Sequence, residues 1–112
     1  IEVYIGIEWL PLASEGLLKE TRALADDLNT GIHIHLNESL TEVENSKQRF
    51  GRRPTEVAYD CGILFDRCIA AHCVWLSDVE IAPGWVWIGG GMCSLPVIGL
   101  KSSIRKTFRR TL

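Results

Sequence analysis

Two histidines one residue apart, followed closely by a carboxylate, are the residues of this chain best suited to chemistry. They lie in the stretch Gly31–Ser39, which reads Gly-Ile-His-Ile-His-Leu-Asn-Glu-Ser, as His33, His35 and Glu38. In an extended backbone alternate side chains share a face, which groups His33 with His35 and sets Ile32, Ile34 and Leu36 on the other side. Glu38 falls just past the expected strand end. A histidine with a glutamate at short range can supply a metal ligand and a proton-transfer group in one cluster. The same pattern fits two hydrogen-bonded histidines on a half-buried strand, with Glu38 as a first-turn helix carboxylate beside Ser39. This stretch alone leaves both readings open.

The elements that must hold these residues follow from hydrophobic spacing. Residues Ile1–Trp9 are rich in Ile, Val, Tyr and Trp and predict a strand ending before Pro11. Leu17, Leu18, Thr21, Leu24, Ala25 and Leu28 recur at helical spacing, and Asn29-Thr30-Gly31 is the expected stop, with Gly31 taking left-handed geometry. Gly31–Leu36 reads as a short buried strand. Ser39–Phe50 reads as a surface helix with Leu40, Val43 and Phe50 inward, and Gly51-Arg-Arg-Pro54 breaks it. Pro54 opens a further helix with Val57, Ala58 and Cys61 on one face and Gly62 near its end, and Ile63–Phe65 extend its packing.

Ile69–Val74 then form a buried strand that contains His72, and Ser77-Asp-Val-Glu80 matches a capping box whose helix is cut short by Pro83-Gly84. Trp85–Ile88 reads as another strand. Gly89-Gly90-Gly91 lacks the following Gly-Lys-Ser/Thr of a phosphate-binding loop and is given no nucleotide role. Strands alternating with helices imply βα units around a parallel sheet, an α/β fold. His35 and His72 would each sit near a strand's C-terminal end, and in a (β/α)8 barrel such ends face one mouth.

Composition bounds the remaining possibilities. The 112 residues suffice for one small domain, and 46% hydrophobic content argues for a packed interior. A net charge of −2 gives no general pull toward nucleic acid or anionic membrane, yet Lys101, Arg105, Lys106, Arg109 and Arg110 lie among the last twelve residues with no acidic neighbour. Cys61, Cys68, Cys73 and Cys93 form no C-x-x-C pair, and no secretory signal or long apolar run is visible, so a cytoplasmic setting is expected. The start at Ile1, inside an apolar strand, suggests a fragment.

With these residues in hand, the sequence resembles the aminohydrolase and deaminase branch of the amidohydrolase superfamily. That branch includes s-triazine hydrolases and the guanine, 8-oxoguanine, cytosine and adenosine-analogue deaminases. The matching words are His33-Ile-His-Leu-Asn-Glu-Ser39, Phe50-Gly-Arg-Arg-Pro54, and Ala70-Ala-His-Cys-Val-Trp-Leu76 followed by Asp78-Val-Glu-Ile81. Their order and spacing over roughly residues 12–82 resemble the family's fifth and sixth barrel strands. The resemblance implies a partial metal-dependent hydrolase (β/α)8 TIM barrel, with His35 as metal ligand and Glu38 as the proton shuttle. His72 would orient the attacking water, and His33 would give packing or outer support. It implies one divalent metal, zinc or iron, not held tightly by these residues alone. It further implies metal-activated water acting on a carbon–nitrogen or carbon–chlorine bond of a small N-heterocycle.

The family also draws on a His-x-His from its first strand and an aspartate from its eighth, and the last aspartate here is Asp78. Such a barrel takes about 250 residues. Residues 1–90 are therefore read as a partial barrel domain, and 91–112 as an aperiodic basic tail, frame-shifted or disordered. A catalytically inactive truncated fragment is the main rival, with self-association expected from its uncovered faces. A basic-tailed nucleic-acid-binding module is the other; it lacks a fold motif and, apart from Phe108, stacking aromatics. A zinc site from Cys61, Cys68, Cys73 and His72 has irregular spacing, so core cysteines are expected, and Trp75, Trp85 and Trp87 are assigned to packing. No membrane association is expected.

Overall fold

The computed structural model describes the backbone of residues 1–81, 85–90 and 93–98 and the side chains of residues 1–78 and 80. Strands β1 (Ile5–Ile7), β2 (Ile32–Leu36) and β3 (Cys68–His72) form a parallel set in chain order. Their registers, Ile7 beside Ile34 and Leu36 beside His72, bring all three C-terminal ends to one edge. Between β1 and β2 run a 3-10 turn (Leu10–Leu12) and helix α1 (Glu15–Asp27); between β2 and β3 run α2 (Leu40–Phe50) and α3 (Pro54–Asp60). The alternating α/β order and parallel core are those of part of a (β/α)8 barrel.

Local chemistry accounts for the helix starts. Ser14 Oγ accepts from Leu17 N at 3.0 Å at the head of α1, and Ser39 Oγ accepts from Glu42 N at 3.2 Å at the head of α2. Pro54 occupies the first turn of α3, where its missing N–H is no loss, while Glu56 Oε2 accepts from Arg53 N at 2.8 Å. The expected capping box precedes α4 (Asp78–Ile81): Glu80 Oε2 accepts from Ser77 N at 2.6 Å and Ser77 Oγ from Glu80 N at 3.3 Å. Arg52 pairs with both Glu15 and Asp60, tying the start of α1 to the end of α3.

The core lies on the helix side of the sheet. Ile32, Ile34 and Leu36 are fully buried there with Leu10, Leu18 and Val57, while His33 and His35 occupy the opposite, half-buried face. Helix α1 buries a narrower stripe than its sequence suggests. Leu18 and Ala25 are inside, but Leu17, Leu24 and Leu28 form a second stripe about 100° round the helix and are exposed. Leu40 is likewise exposed, Phe50 half-buried, and Val43 buried as expected. Trp75, assigned to packing from sequence, is 46% exposed, and Val74 is exposed too, because β3 ends at His72.

Two further differences have clear causes. Asn29, not Gly31, takes the left-handed conformation after α1 (φ 49°). Gly31 is needed for closeness: a Cβ there would collide with the Tyr4 ring and the Arg67 carbonyl oxygen. Second, Cys93–Ile98 is a strand, β5, despite its irregular sequence; it pairs antiparallel with β4 (Trp85–Gly90) and meets β3 at Ala70–Ser94. Only two residues separate β4 from β5, which suits an antiparallel hairpin and is far too short for a parallel crossover. The Pro83-Gly84 stop, the packing assigned to the Trp85 and Trp87 side chains, and the basic tail from Lys101 to Leu112 lie outside the described residues.

Glu42 has no exposed surface, and one carboxylate oxygen, Oε1, lacks a hydrogen-bond partner; burial raises its pKa from 4.5 to about 7. The acid is therefore protonated more readily folded than unfolded, so its contribution is fully present below pH 4.5 and lost as pH rises to 7. Linkage puts that loss at about 3 kcal/mol. Urea denaturation of Glu42→Gln should show a flatter stability profile between pH 4.5 and 7 than the unsubstituted chain. At neutral pH, Gly31→Ala should cost about 1–3 kcal/mol in the same measurement, because the Arg67 carbonyl is backbone and cannot step aside.

Candidate metal centre

His35, Glu38 and His72 come from two adjacent strand ends. His35 is the penultimate residue of β2 and Glu38 follows two residues after that strand. His72 ends β3, beside Leu36 in register. Ordinary alternation would therefore send His72 to the core side with Leu36, away from His35. The backbone prevents this. His72 (φ 72°) and Cys73 (φ 54°) are both left-handed, and the turn breaks the alternation. The His72 ring instead lies 5.1 Å from the His35 ring, edge to face at 81°.

The ligand atoms of His35, Glu38 and His72 lie within 4.8 Å of one another. His72 Nε2 is 3.8 Å from Glu38 Oε1, too long for a hydrogen bond but close enough for one ion to bridge the pair after small rotations. Atoms sharing a zinc at 2.0–2.2 Å stand about 3.4 Å apart in a tetrahedral site. The cluster is thus slightly open, and half-exposed Glu38 has the freedom to close it. Two imidazoles and a carboxylate suit zinc or another borderline divalent ion. Among the described residues this is the one group of three or more such donors so placed, and it includes no cysteine. Cys61, Cys68 and Cys73 are buried thiols, and burial pushes Cys68 up to about 12.

His33 sits one layer below, its ring 5.6 Å from that of His35 and at 86° to it. Glu8, the residue after β1, brings its carboxylate to 3.9 Å from His35 Nδ1 at the same sheet edge. Behind the site Glu42 Oε2 accepts from Glu38 N at 2.7 Å and fixes the backbone of the loop. Sequence reasoning missed Glu8, Asn37, Glu42 and Arg53 here. Glu42 had a visible signal, since Ser39 and Glu42 have capping-box spacing.

Comparison with known proteins agrees with the geometry. Residues 1–89 match the amidohydrolase family. Over 81 residues the chain is 47% identical to a 5'-deoxyadenosine deaminase from Methanopyrus kandleri, covering 72% of this chain and 19% of that protein. A 5-methylthioadenosine/S-adenosylhomocysteine deaminase from Acetivibrio thermocellus is 44% identical over the same length and coverage. The crystal structure of an adenosine deaminase from Xanthomonas campestris with bound zinc superposes with a TM-score of 0.64 at 30% identity, over 70% of this chain and 18% of that one. The matched part therefore spans about a fifth of each relative's length. With its parallel strand core and its match over residues 1–89, this chain belongs to the amidohydrolase family and is homologous to its deaminase branch.

Proposed function

We propose that this chain carries the fifth- and sixth-strand portion of a metal-dependent hydrolase site that removes an amino group from an N-heterocycle. The observation that carries the reading is the convergence of His35, Glu38 and His72 at the ends of β2 and β3 in an amidohydrolase chain. Relatives named as deaminases of adenosine-type nucleosides favour deamination over dechlorination, and a purine nucleoside as substrate class.

In this reading His35 would hold the metal, with His72 beside it, and the zinc bound in the Xanthomonas campestris structure supports zinc as that metal. A bound divalent ion supplies the acidity that brings a water's pKa to near 7. Glu38 would carry two protons in turn, one from the attacking water to the ring nitrogen and a second from the hydroxyl that this water becomes to the amino group, which leaves as ammonia while the carbonyl forms. Its exposure at the sheet edge gives it the reach for both transfers. His72 holds the attacking oxygen in line, and His33 supports His35 from below.

The setting belongs to the same proposal. Buried thiols at Cys61, Cys68 and Cys73 support a reducing, cytoplasmic compartment. The exposed Leu17, Leu24 and Leu28 stripe supports self-association. Among the described residues no helix is long and apolar enough to cross a membrane. The basic residues that could contact nucleic acid lie outside those described.

The second reading is a catalytically inactive portion of such an enzyme; the matched part spans about a fifth of the relatives' length. One experiment addresses both. Calorimetric titration of the chain with zinc should show one site per chain, and His35→Ala should weaken it by about tenfold or more. Equal zinc affinity in His35→Ala would sink the metal-site assignment. Incubating the zinc-loaded chain with 5'-deoxyadenosine then separates the readings. Ammonia release that Glu38→Gln lowers by at least about 100-fold supports the active enzyme; zinc uptake without release supports the inactive portion.

A further inference from the structure

Asn37 lies between His35 and Glu38 and is completely buried, although it belongs to a loop. Its backbone is left-handed (φ 51°), a conformation that Asn tolerates better than most residues. Its carbonyl oxygen accepts from both Val74 N (3.1 Å) and Trp75 N (3.0 Å), the segment directly after His72. Its side-chain Nδ2 donates to Trp75 O (3.3 Å), to Thr55 Oγ1 (2.9 Å) and to Glu80 Oε1 (3.1 Å). One residue therefore joins the loop carrying Glu38, the turn after His72, the start of α3 and helix α4.

Glu80, in turn, is held from two sides. Its Oε2 accepts from Arg53 Nε (2.8 Å) and Ser77 N (2.6 Å), and Arg53 Nη2 reaches Trp75 O at 2.6 Å. The carboxylate has no exposed side-chain surface. Its two oxygens have separate duties: Oε2 faces the cation, and Oε1 faces Asn37.

We propose that Asn37 is a positioning residue for the metal centre: with Glu80 it latches the His72 turn to the Glu38 loop and so fixes the distance between His72 and His35. The left-handed pair His72-Cys73 is what brings the His72 ring to its place, and two consecutive non-glycine residues in that region carry a backbone penalty. The bonds that oppose relaxation of this turn are Cys73 N to Leu36 O (2.8 Å) and the three between Asn37 and the 74–75 segment. Removing the Asn37 donor leaves the turn to its main-chain bonds and to Arg53 Nη2 on Trp75 O, so it loosens and the His72 ring draws away from that of His35. The inference rests on the metal-site reading, but its structural half, the approach of the two rings, is observable without a metal.

The separate duties of the two Glu80 oxygens permit a test by reversal. In Asn37→Asp an acceptor replaces the donor facing Glu80 Oε1, so two oxygens oppose each other. In Glu80→Gln, with its oxygen kept toward Arg53, two donors oppose each other. In the double variant the new carboxylate at position 37 accepts from the new amide at position 80, and the bond returns in the opposite sense. Zinc titration and the NMR cross-peak between the His35 and His72 rings are read for all four chains.

We expect each single variant to bind zinc about tenfold more weakly and to lose the cross-peak, and the double variant to recover both to within about threefold. Wild-type affinity and an intact cross-peak in Asn37→Asp would overturn the latch, as would a double variant no better than its parents. If both singles fail to fold, refolding of the double variant supports the latch and its failure overturns it. An unsubstituted chain that shows the cross-peak but takes up no zinc would end the metal-site reading alone, with the latch still judged on the rings.

Discussion

The site depends on how the ends of β2 and β3 are sewn together. Parallel pairing carries the two strands side by side only as far as Leu36 and His72. Beyond that point the ladder would normally dissolve into two independent loops. Here Cys73 N continues onto Leu36 O, and Val74 N and Trp75 N onto Asn37 O, so the loops stay registered for three more residues. Each such bond contributes about 0.5–1.5 kcal/mol net, while the left-handed residues cost about 1–2 kcal/mol each. The two sums are comparable, which is why side-chain bonds from Asn37 matter to a turn that main-chain bonds alone would barely hold.

Buried acids surround this seam, and their pairing differs in a way that separates their roles. Glu80 is inside but has Arg53, Asn37 and Ser77 as partners, so its charge is compensated. Glu42 is equally buried, accepts from Glu38 N, and has one oxygen unpartnered. A buried ion pair gains little over an apolar replacement, whereas an incompletely paired buried acid is a direct cost. Glu80 therefore contributes specificity of loop arrangement, and Glu42 gives up stability to hold the backbone from which the Glu38 side chain projects.

Much of this was legible in the sequence. The alternation in Ile32–Leu36, the capping pairs at Ser77–Glu80 and the helix signal at Pro54 are local codes, and local codes survive folding. The convergence of His35 with His72 was legible only as strand ends sharing a mouth; by strict alternation His72 should have pointed the other way, and no residue type around it announces a left-handed turn. Asn37 was invisible because its value comes from Thr55, Trp75 and Glu80, all distant in sequence. The spacing of Leu17, Leu24 and Leu28 marked the helix correctly but not their exposure, because helical spacing identifies an apolar surface without saying how much of it meets a neighbour. Strand β5 was missed because Pro96 and mixed polarity hide it, while its pairing is dictated by a two-residue connection.

The layout also explains how such a site can change its chemistry while keeping its fold. Core and site are on opposite faces of the same strands: Ile32, Ile34 and Leu36 hold the helices, and His33 and His35 face away. Register then delivers residues just past the strands to the same edge, Glu8 directly after β1 and Glu38 two residues beyond β2, with His72 turned in at the end of β3. A substitution at Glu8, which is 93% exposed, leaves the core untouched yet alters the charge 3.9 Å from His35. A substitution at Asn37 does the reverse, since its side chain bonds to Thr55, Trp75 and Glu80 and to none of His35, Glu38 and His72, yet those bonds join the loops on which Glu38 and His72 stand. Charge at the edge and geometry at the seam are thus separable in this fold, because one is set by exposed residues past the strand ends and the other by a buried amide between them.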